Sequence, residues 1–124
     1  MAGPQPSAVV LFAHGSRDAR WREPVEAVAR RMGELQPGVA VACAYLELVE
    51  PDLATAVKRL VDDGARSVHV VPLFLGVGKH VREDLPLLVD DLRTRHRHVV
   101  FTLAPAVGET PEVIDVLARV ALRG

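Results

Sequence analysis

The sequence holds a single cysteine, Cys43, so no disulfide can close within the chain, and a lone thiol fits a reducing cytoplasm. Aromatic residues are scarce too: one Trp, one Tyr and three Phe are too few for a platform on which nucleic-acid bases stack. Neither sign of charge dominates. Fifteen Lys and Arg stand against sixteen Asp and Glu, a net charge of −1, which gives no footprint for nucleic acid and none for an anionic membrane. No apolar run approaches the ~20 residues of a membrane span. Residues 1–7 lack a basic start and an apolar core, so they read as a disordered tail and not as a secretory signal. No repeat, linker or low-complexity segment interrupts the rest. At 124 residues, 49% of them hydrophobic, the chain is long enough to bury one real core. Residues 8–124 read as one domain.

What is present is an alternation of short apolar runs and longer amphipathic stretches. Strands are expected over residues 8–14, 39–46, 67–73 and 98–103. A first helix is expected over residues 18–36, with Trp21, Val25, Val28, Met32 and Leu35 on one face, Pro24 in its opening turns and Pro37-Gly38 ending it. A second starts near Pro51, buries Leu53, Val57, Leu60 and Val61, and stops at Gly64. The third turns Leu85, Leu88, Val89 and Leu92 to one side and runs into the basic cluster Arg93 to Arg97. Thr110-Pro111 opens the fourth, with Ile114, Leu117 and Val120 or Ala121 directed inward. The order βαβαβαβα, with strands apolar throughout, predicts a four-stranded parallel sheet covered on both faces. That is a three-layer, doubly wound, flavodoxin-like α/β domain.

In such a fold ligands bind beyond the carboxyl ends of the strands. Two histidines fall there. His14 leaves the first strand in His14-Gly15-Ser16-Arg17-Asp18, and His80 follows the third on a loop with Gly76 and Gly78. Strands one and three are neighbours in the common doubly wound order, so two neutral imidazoles could share one divalent ion. Glu47, past the second strand, reaches the same edge as a third ligand or proton acceptor, and Glu50 competes for that part. Gly76-Val77-Gly78-Lys79 is not a phosphate-binding loop: Leu73 stands where the first glycine is needed, and His80 where Ser or Thr is needed. A hydrolytic Ser16–His14 pair lacks the Gly-x-Ser-x-Gly elbow. His69 reads as packed in a strand, His96 and His98 as surface, and Cys43 as a small core residue.

These residues, taken together, resemble a known family. His14-Gly15-Ser16-Arg17-Asp18, Leu46-Glu47 with Glu50-Pro51, and Val71-Pro72-Leu73-Phe74-Leu75 with Gly78, His80, Asp84 and Pro86 are similar to the small CbiX/SirB-type sirohydrochlorin chelatases. The resemblance runs over residues 8–104. It implies a chelatase-like α/β fold in which His14 and His80 bind the metal and Glu47 acts beside them. The implied activity is insertion of Co²⁺, Fe²⁺ or Ni²⁺ into sirohydrochlorin, towards cobalamin or siroheme. The metal is then a substrate, with no permanently bound cofactor. A one-domain form implies a homodimer. Ser16, Arg17, Gly78, Lys79 and Arg82 are the candidate substrate contacts, the basic ones suited to the carboxylates of the macrocycle. Acid should inhibit, because a ligating imidazole must be neutral. A tetrapyrrole or metal carrier without turnover is the alternative. A receiver-like regulatory domain is disfavoured, because the first strand ends in His14 and not in an acidic cluster.

Overall fold

The computed structural model describes residues 7–124. It contains β1 (Ala8–Ala13), α1 (Glu23–Leu35), β2 (Ala40–Tyr45), α2 (Leu53–Asp62), β3 (Ser67–Pro72), α3 (Lys79–Arg95), β4 (Val100–Leu103) and α4 (Pro111–Leu122). Short 3-10 turns at Ala19–Arg22 and Val107–Glu109 precede α1 and α4. The strands form one sheet in the order β2-β1-β3-β4, every neighbouring pair parallel. This is the doubly wound arrangement expected, with β1 and β3 side by side at the switch point. No helix among the described residues is long and apolar enough to cross a membrane.

Alternation along the strands sorts the core into two faces. On one face Val10, Phe12, Ala44, Val68, Val70 and Phe101 meet Leu53, Ala56, Val57 and Leu60 of α2 and Leu85, Val89 and Leu92 of α3. Phe12 and Val70 are sealed here, so truncating Phe12 to Ala should cost about 3–5 kcal/mol. On the other face Ala13 and Tyr45 pack on Val25 of α1, with Cys43, Val49 and Leu73 around them. All six residues of β1 are buried, which is why that strand reads as an unbroken apolar run.

Local chemistry moves several element boundaries. α1 begins at Glu23, not Asp18, because the Asp18 carboxylate accepts the Arg20 N–H at 2.9 Å and caps a separate 3-10 turn. Of its expected apolar stripe only Val25 is buried, while Val28 and Leu35 are 42% and 68% exposed. β2 is an edge strand, so α1 has only the β2–β1 half of the sheet beneath it. α2 starts at Leu53, because Asp52 and not Pro51 supplies its cap. β4 is shorter than expected, starting at Val100. The reading of residues 1–6 as a tail lies outside the described residues. Ser7 is anchored: its hydroxyl donates to the Ser67 carbonyl at 2.8 Å and accepts the backbone N–H groups of Arg66 and Ser67.

The fourth helix departs most from expectation. Ile114, Leu117, Val120 and Ala121 do not turn inward; α4 has no buried residue. The 3-10 turn before it is pinned, Gly108 N–H to the Phe74 carbonyl at 2.9 Å and the Thr110 hydroxyl to the Val107 carbonyl at 2.7 Å. Thr110 is the residue before the helix but spends its hydroxyl on that turn and not on α4.

Candidate functional site

The parallel ladder between β1 and β2 does not stop where the strands do. Leu46 N–H bonds to the Ala13 carbonyl at 2.9 Å, and Glu47 N–H to the His14 carbonyl at 3.1 Å. The backbone thereby sets His14 and Glu47 side by side beyond the carboxyl edge. Their side chains meet: His14 Nε2 lies 3.2 Å from Glu47 Oε1, both about half exposed. Gly15 makes this possible. Its φ is +112°, and a Cβ there would stand 1.9 Å from the Glu47 carbonyl oxygen, so only glycine fits. Glu50 does not share this contact. It lines a cleft of about 550 Å³ with Asp52, Thr55 and Arg59, a cleft that Glu47 also borders but neither His14 nor His80 does.

His80 sits in the first turn of α3 and not on the loop before it, because the helix already starts at Lys79. The preceding loop is held from two sides. Leu73 N–H bonds to the Phe12 carbonyl at 2.8 Å, extending the β1–β3 pairing, and Gly108 N–H holds the Phe74 carbonyl. The Phe74 ring stands edge-on to both Phe12 and His14, with centroids 6.4 and 6.2 Å away. One aromatic residue thus connects the core, the His14 ring and the loop that delivers His80. His80 is exposed, as are Arg17, Gly78 and Lys79. Arg82 is exposed as well, and its guanidinium donates to the Val77 carbonyl at 3.2 Å, folding back over the loop. Gly78 caps α3 without a side chain, so the first N–H groups of that helix have no side-chain partner there.

Ser16 is half-buried, and its hydroxyl accepts the Asp18 N–H at 3.1 Å. No Ser16–His14 hydrogen bond forms among the described residues, so the hydrolytic pair is not assembled. His69 bonds instead to the Thr102 hydroxyl on β4. His96 tilts against Phe101, and His98 is exposed. Burial pushes the Cys43 thiol up from its ordinary range, with Glu26 adding to the effect, which disfavours the reactive thiolate. Among the described residues no three His, Cys, Asp or Glu side chains cluster as an ion cage. The structure thus brings His14 and Glu47 together but does not gather His80 with them.

Three features were not anticipated from the sequence. The sequence pattern assigns no role to Phe74, which the structure sets between Phe12 and His14. Gly108 approaches the Leu75 backbone so closely that a Cβ would lie 2.0 Å from its carbonyl oxygen. Leu46, Leu48 and Leu75, 36%, 54% and 72% exposed, add an apolar rim to the loops that carry Glu47 and lead to His80. Leu48 has φ +68°, an unfavoured backbone for a branched residue, on the loop of Glu47. Scarcity was the available signal for Phe74, since few aromatics exist to be spared for a loop.

A family model described as CbiX matches residues 8–123. A sirohydrochlorin cobaltochelatase of Methanopyrus kandleri is 38% identical over 82 residues, 66% of this chain and 57% of that protein. One from Sulfolobus acidocaldarius is 29% identical over 113 residues, covering 91% of this chain and 88% of the relative. The chain thus spans little more than half the length of the first relative and most of the second. Among solved structures, a putative cobalamin (vitamin B12) biosynthesis CbiX protein from Marinobacter aquaeolei superposes with a TM-score of 0.81 at 39% identity, over 96% of this chain and 94% of that one. The sirohydrochlorin chelatase SirB of Bacillus subtilis, solved with cobalt, shares the fold with a TM-score of 0.79 at 23% identity; 96% of this chain matches 51% of it.

Proposed function

Because the chain belongs to the CbiX family, we propose that it inserts a divalent metal ion, cobalt or iron, into sirohydrochlorin, with His14 and His80 holding the ion and Glu47 managing protons. The observation that carries this reading is the His14–Glu47 contact of 3.2 Å at the carboxyl edge of the sheet. A carboxylate on one ring nitrogen fixes the imidazole's orientation and tautomer. Nε2 faces Glu47, which would leave Nδ1 as the His14 nitrogen for a metal. His80 supplies a second neutral nitrogen from the start of α3. Two protein ligands leave positions for water and then for pyrrole nitrogens, as transfer requires.

The macrocycle loses two pyrrole protons as the ion enters. Glu47 is half exposed, so it can accept a proton and pass it to water. The exposed Leu46, Leu48 and Leu75 offer apolar surface to the flat ring. Its carboxylates then meet Arg17, Lys79 and Arg82, the Ser16 hydroxyl and the N–H groups beyond Gly78. A homodimer supplies the opposite cover that one small open edge lacks. The lone Cys43 is in keeping with a cytoplasmic location.

The test is anaerobic incubation with sirohydrochlorin and Co²⁺, Fe²⁺ or Ni²⁺, following the pigment's absorbance. Many equivalents of metallated product per chain with at least one ion are expected. Saturation at one tightly held equivalent, with no release, would make the chain a carrier instead.

A further inference from the structure

Beyond His80 the carboxyl edge holds a smaller cavity, about 160 Å³, between the first turns of α3 and the chain leaving β4. Leu85 and Pro86 of α3, with Leu103 and Ala104 at the end of β4, give it aliphatic walls. Arg82 joins the helix side of the cavity because residues at i, i+3 and i+4 stand on one helix face. Glu109 is the other charged group that lines it. Neither Arg82 nor Glu109 is held in an ion pair among the described residues. Arg82 gives one N–H to the Val77 carbonyl at 3.2 Å, and Val77 borders the same cavity. Its remaining N–H groups have no protein acceptor among the described residues.

Aliphatic walls and one guanidinium suit an aliphatic carboxylate. Methylenes lie along the leucines and the proline, and the carboxylate meets the planar fork of N–H donors. The size agrees. At about 30 Å³ per water the cavity holds about five waters, close to the heavy-atom count of a carboxylate on two methylenes. The place agrees too: β4 lies two strand spacings, about 10 Å, from β1, to one side of a ligand centred on His14. Two larger clefts do not offer this chemistry. The one that Glu47 borders sets Glu47, Glu50 and Asp52 against Arg59 alone. The one between α2 and the end of α3 has Lys58 and Arg95, but Asp62 and Asp91 already hold them at 2.7 and 2.8 Å.

We propose that this cavity is the socket for one carboxylate arm of the macrocycle, with Arg82 as its anchor and Glu109 as a brake. This rests on the chelatase reading above and deepens it, since it gives one arm a place and gives Glu109 a part that no motif suggested. Arg82 attracts the arm's carboxylate. Glu109 lines the same space and repels it, which keeps the hold weak enough for the metallated product to leave. The two side chains therefore act on pigment binding with opposite sign, and the aliphatic walls act through volume alone.

Titration of the full chain with sirohydrochlorin, without metal and followed by absorbance, reads the socket directly. Arg82→Gln should weaken pigment binding ~10-fold, the low end for a charge-assisted hydrogen bond because Arg82 is exposed. Glu109→Gln should strengthen it ~2–5-fold. Ala104→Leu fills the cavity at constant charge and should weaken it about as much as Arg82→Gln, with circular dichroism checking its fold. Arg97→Gln removes the same charge just past the far end of α3 and should change nothing. Co²⁺ affinity by calorimetry should stay at the wild-type value throughout. Millimolar propionate, the free counterpart of the arm, should compete with pigment in the wild type and not in Arg82→Gln. Equal weakening by Arg82→Gln and Arg97→Gln would reduce the effect to general charge attraction and overturn the socket. Glu109→Gln that weakens binding, or a folded Ala104→Leu that binds as wild type, would overturn it too. Tight propionate binding by a chain whose pigment affinity ignores Arg82 would assign the cavity to a free acid instead. A chain that inserts metal and shows none of these effects loses the socket and keeps the chelatase reading. One that shows them and inserts no metal loses the chelatase reading and keeps the socket.

Discussion

The Gly15 α-carbon lies so close to the Glu47 carbonyl that an added methyl group would stand 1.9 Å from its oxygen. This contact lets the β1–β2 ladder run past both strands and bring the His14 imidazole onto the Glu47 carboxylate. The site begins as a backbone arrangement, and the side chains inherit it.

Gly15→Ala should therefore damage both folding and chemistry. A positive φ on a non-glycine residue alone costs about 1–3 kcal/mol, and here the methyl group also meets backbone that cannot rotate away. Separating His14 from Glu47 by about 1 Å should lower metal insertion on the order of 10²-fold. Urea denaturation and the anaerobic insertion assay read the two effects. Wild-type turnover in the variant would show that the close approach does not organise the site.

Gly108 gives a second test from the far side. A Cβ there would come within 2.0 Å of the Leu75 backbone, in the loop that delivers His80. Gly108→Ala should push that loop away, lowering turnover ~10-fold or more and stability by ~1–3 kcal/mol. Gly76→Ala is the control, since nothing lies within 4 Å of a Cβ at Gly76. Equal effects of the two substitutions would dissociate the loop's position from function.

The sequence made the sheet legible because β1 is apolar at every position, β3 is mostly so, and the order βαβαβαβα admits few topologies. His14 was legible for the same reason, since a histidine directly after a buried strand has one place to go; His80, well past the end of β3, reads as a loop residue but sits in the first turn of α3. Two things were hidden. The Glu47–Glu50 choice depends on backbone pairing beyond the strand ends, which no periodicity reports. The exposure of α4 was invisible because an amphipathic helix has the same pattern whether it covers its own sheet or another. The expected inward Ile114 and Leu117 reflect that pattern; the pinned turn before the helix decides where they go.

Acid stability should depend on a cap. Thr55, through its hydroxyl and its backbone N–H, holds the Asp52 carboxyl below its usual range. A lowered folded-state value means that this stabilisation is complete above the unfolded value of about 3.9 and fades as pH falls through the folded one. Asp52→Ala should cost about 0.5–2 kcal/mol at neutral pH, and Asp52→Asn much less, because asparagine caps as well. The gap between wild type and Asp52→Ala should shrink only below about pH 4. Urea titrations at a series of pH values check this; a gap constant down to pH 2 would mean that the carboxylate's charge is irrelevant.

The last prediction separates orientation from proton transfer at Glu47. In the structure Glu47 Oε1 is the partner of His14 Nε2, so the carboxylate can hold the ring, take a pyrrole proton, or do both. Glu47→Gln keeps a carbonyl oxygen that can face Nε2 and loses the base. Metal affinity should stay near wild type while turnover falls ~10²-fold or more, the scale of acid–base catalysis. Glu47→Ala also removes the acceptor, so metal affinity should fall a further ~10–100-fold, the usual cost of losing a ligand's hydrogen-bond partner. His14→Ala and His80→Ala should lose at least as much affinity and most turnover. Pigment binding should survive all four changes, because it rests on the apolar rim and the basic residues. Calorimetric titration with Co²⁺ and the insertion assay give the two axes. If Glu47→Gln binds metal as weakly as His14→Ala, Glu47 is itself a ligand, and the protons leave through an imidazole, a water or the macrocycle's own carboxylates. If it changes neither axis, the 3.2 Å contact is a surface ion pair and the histidines act alone.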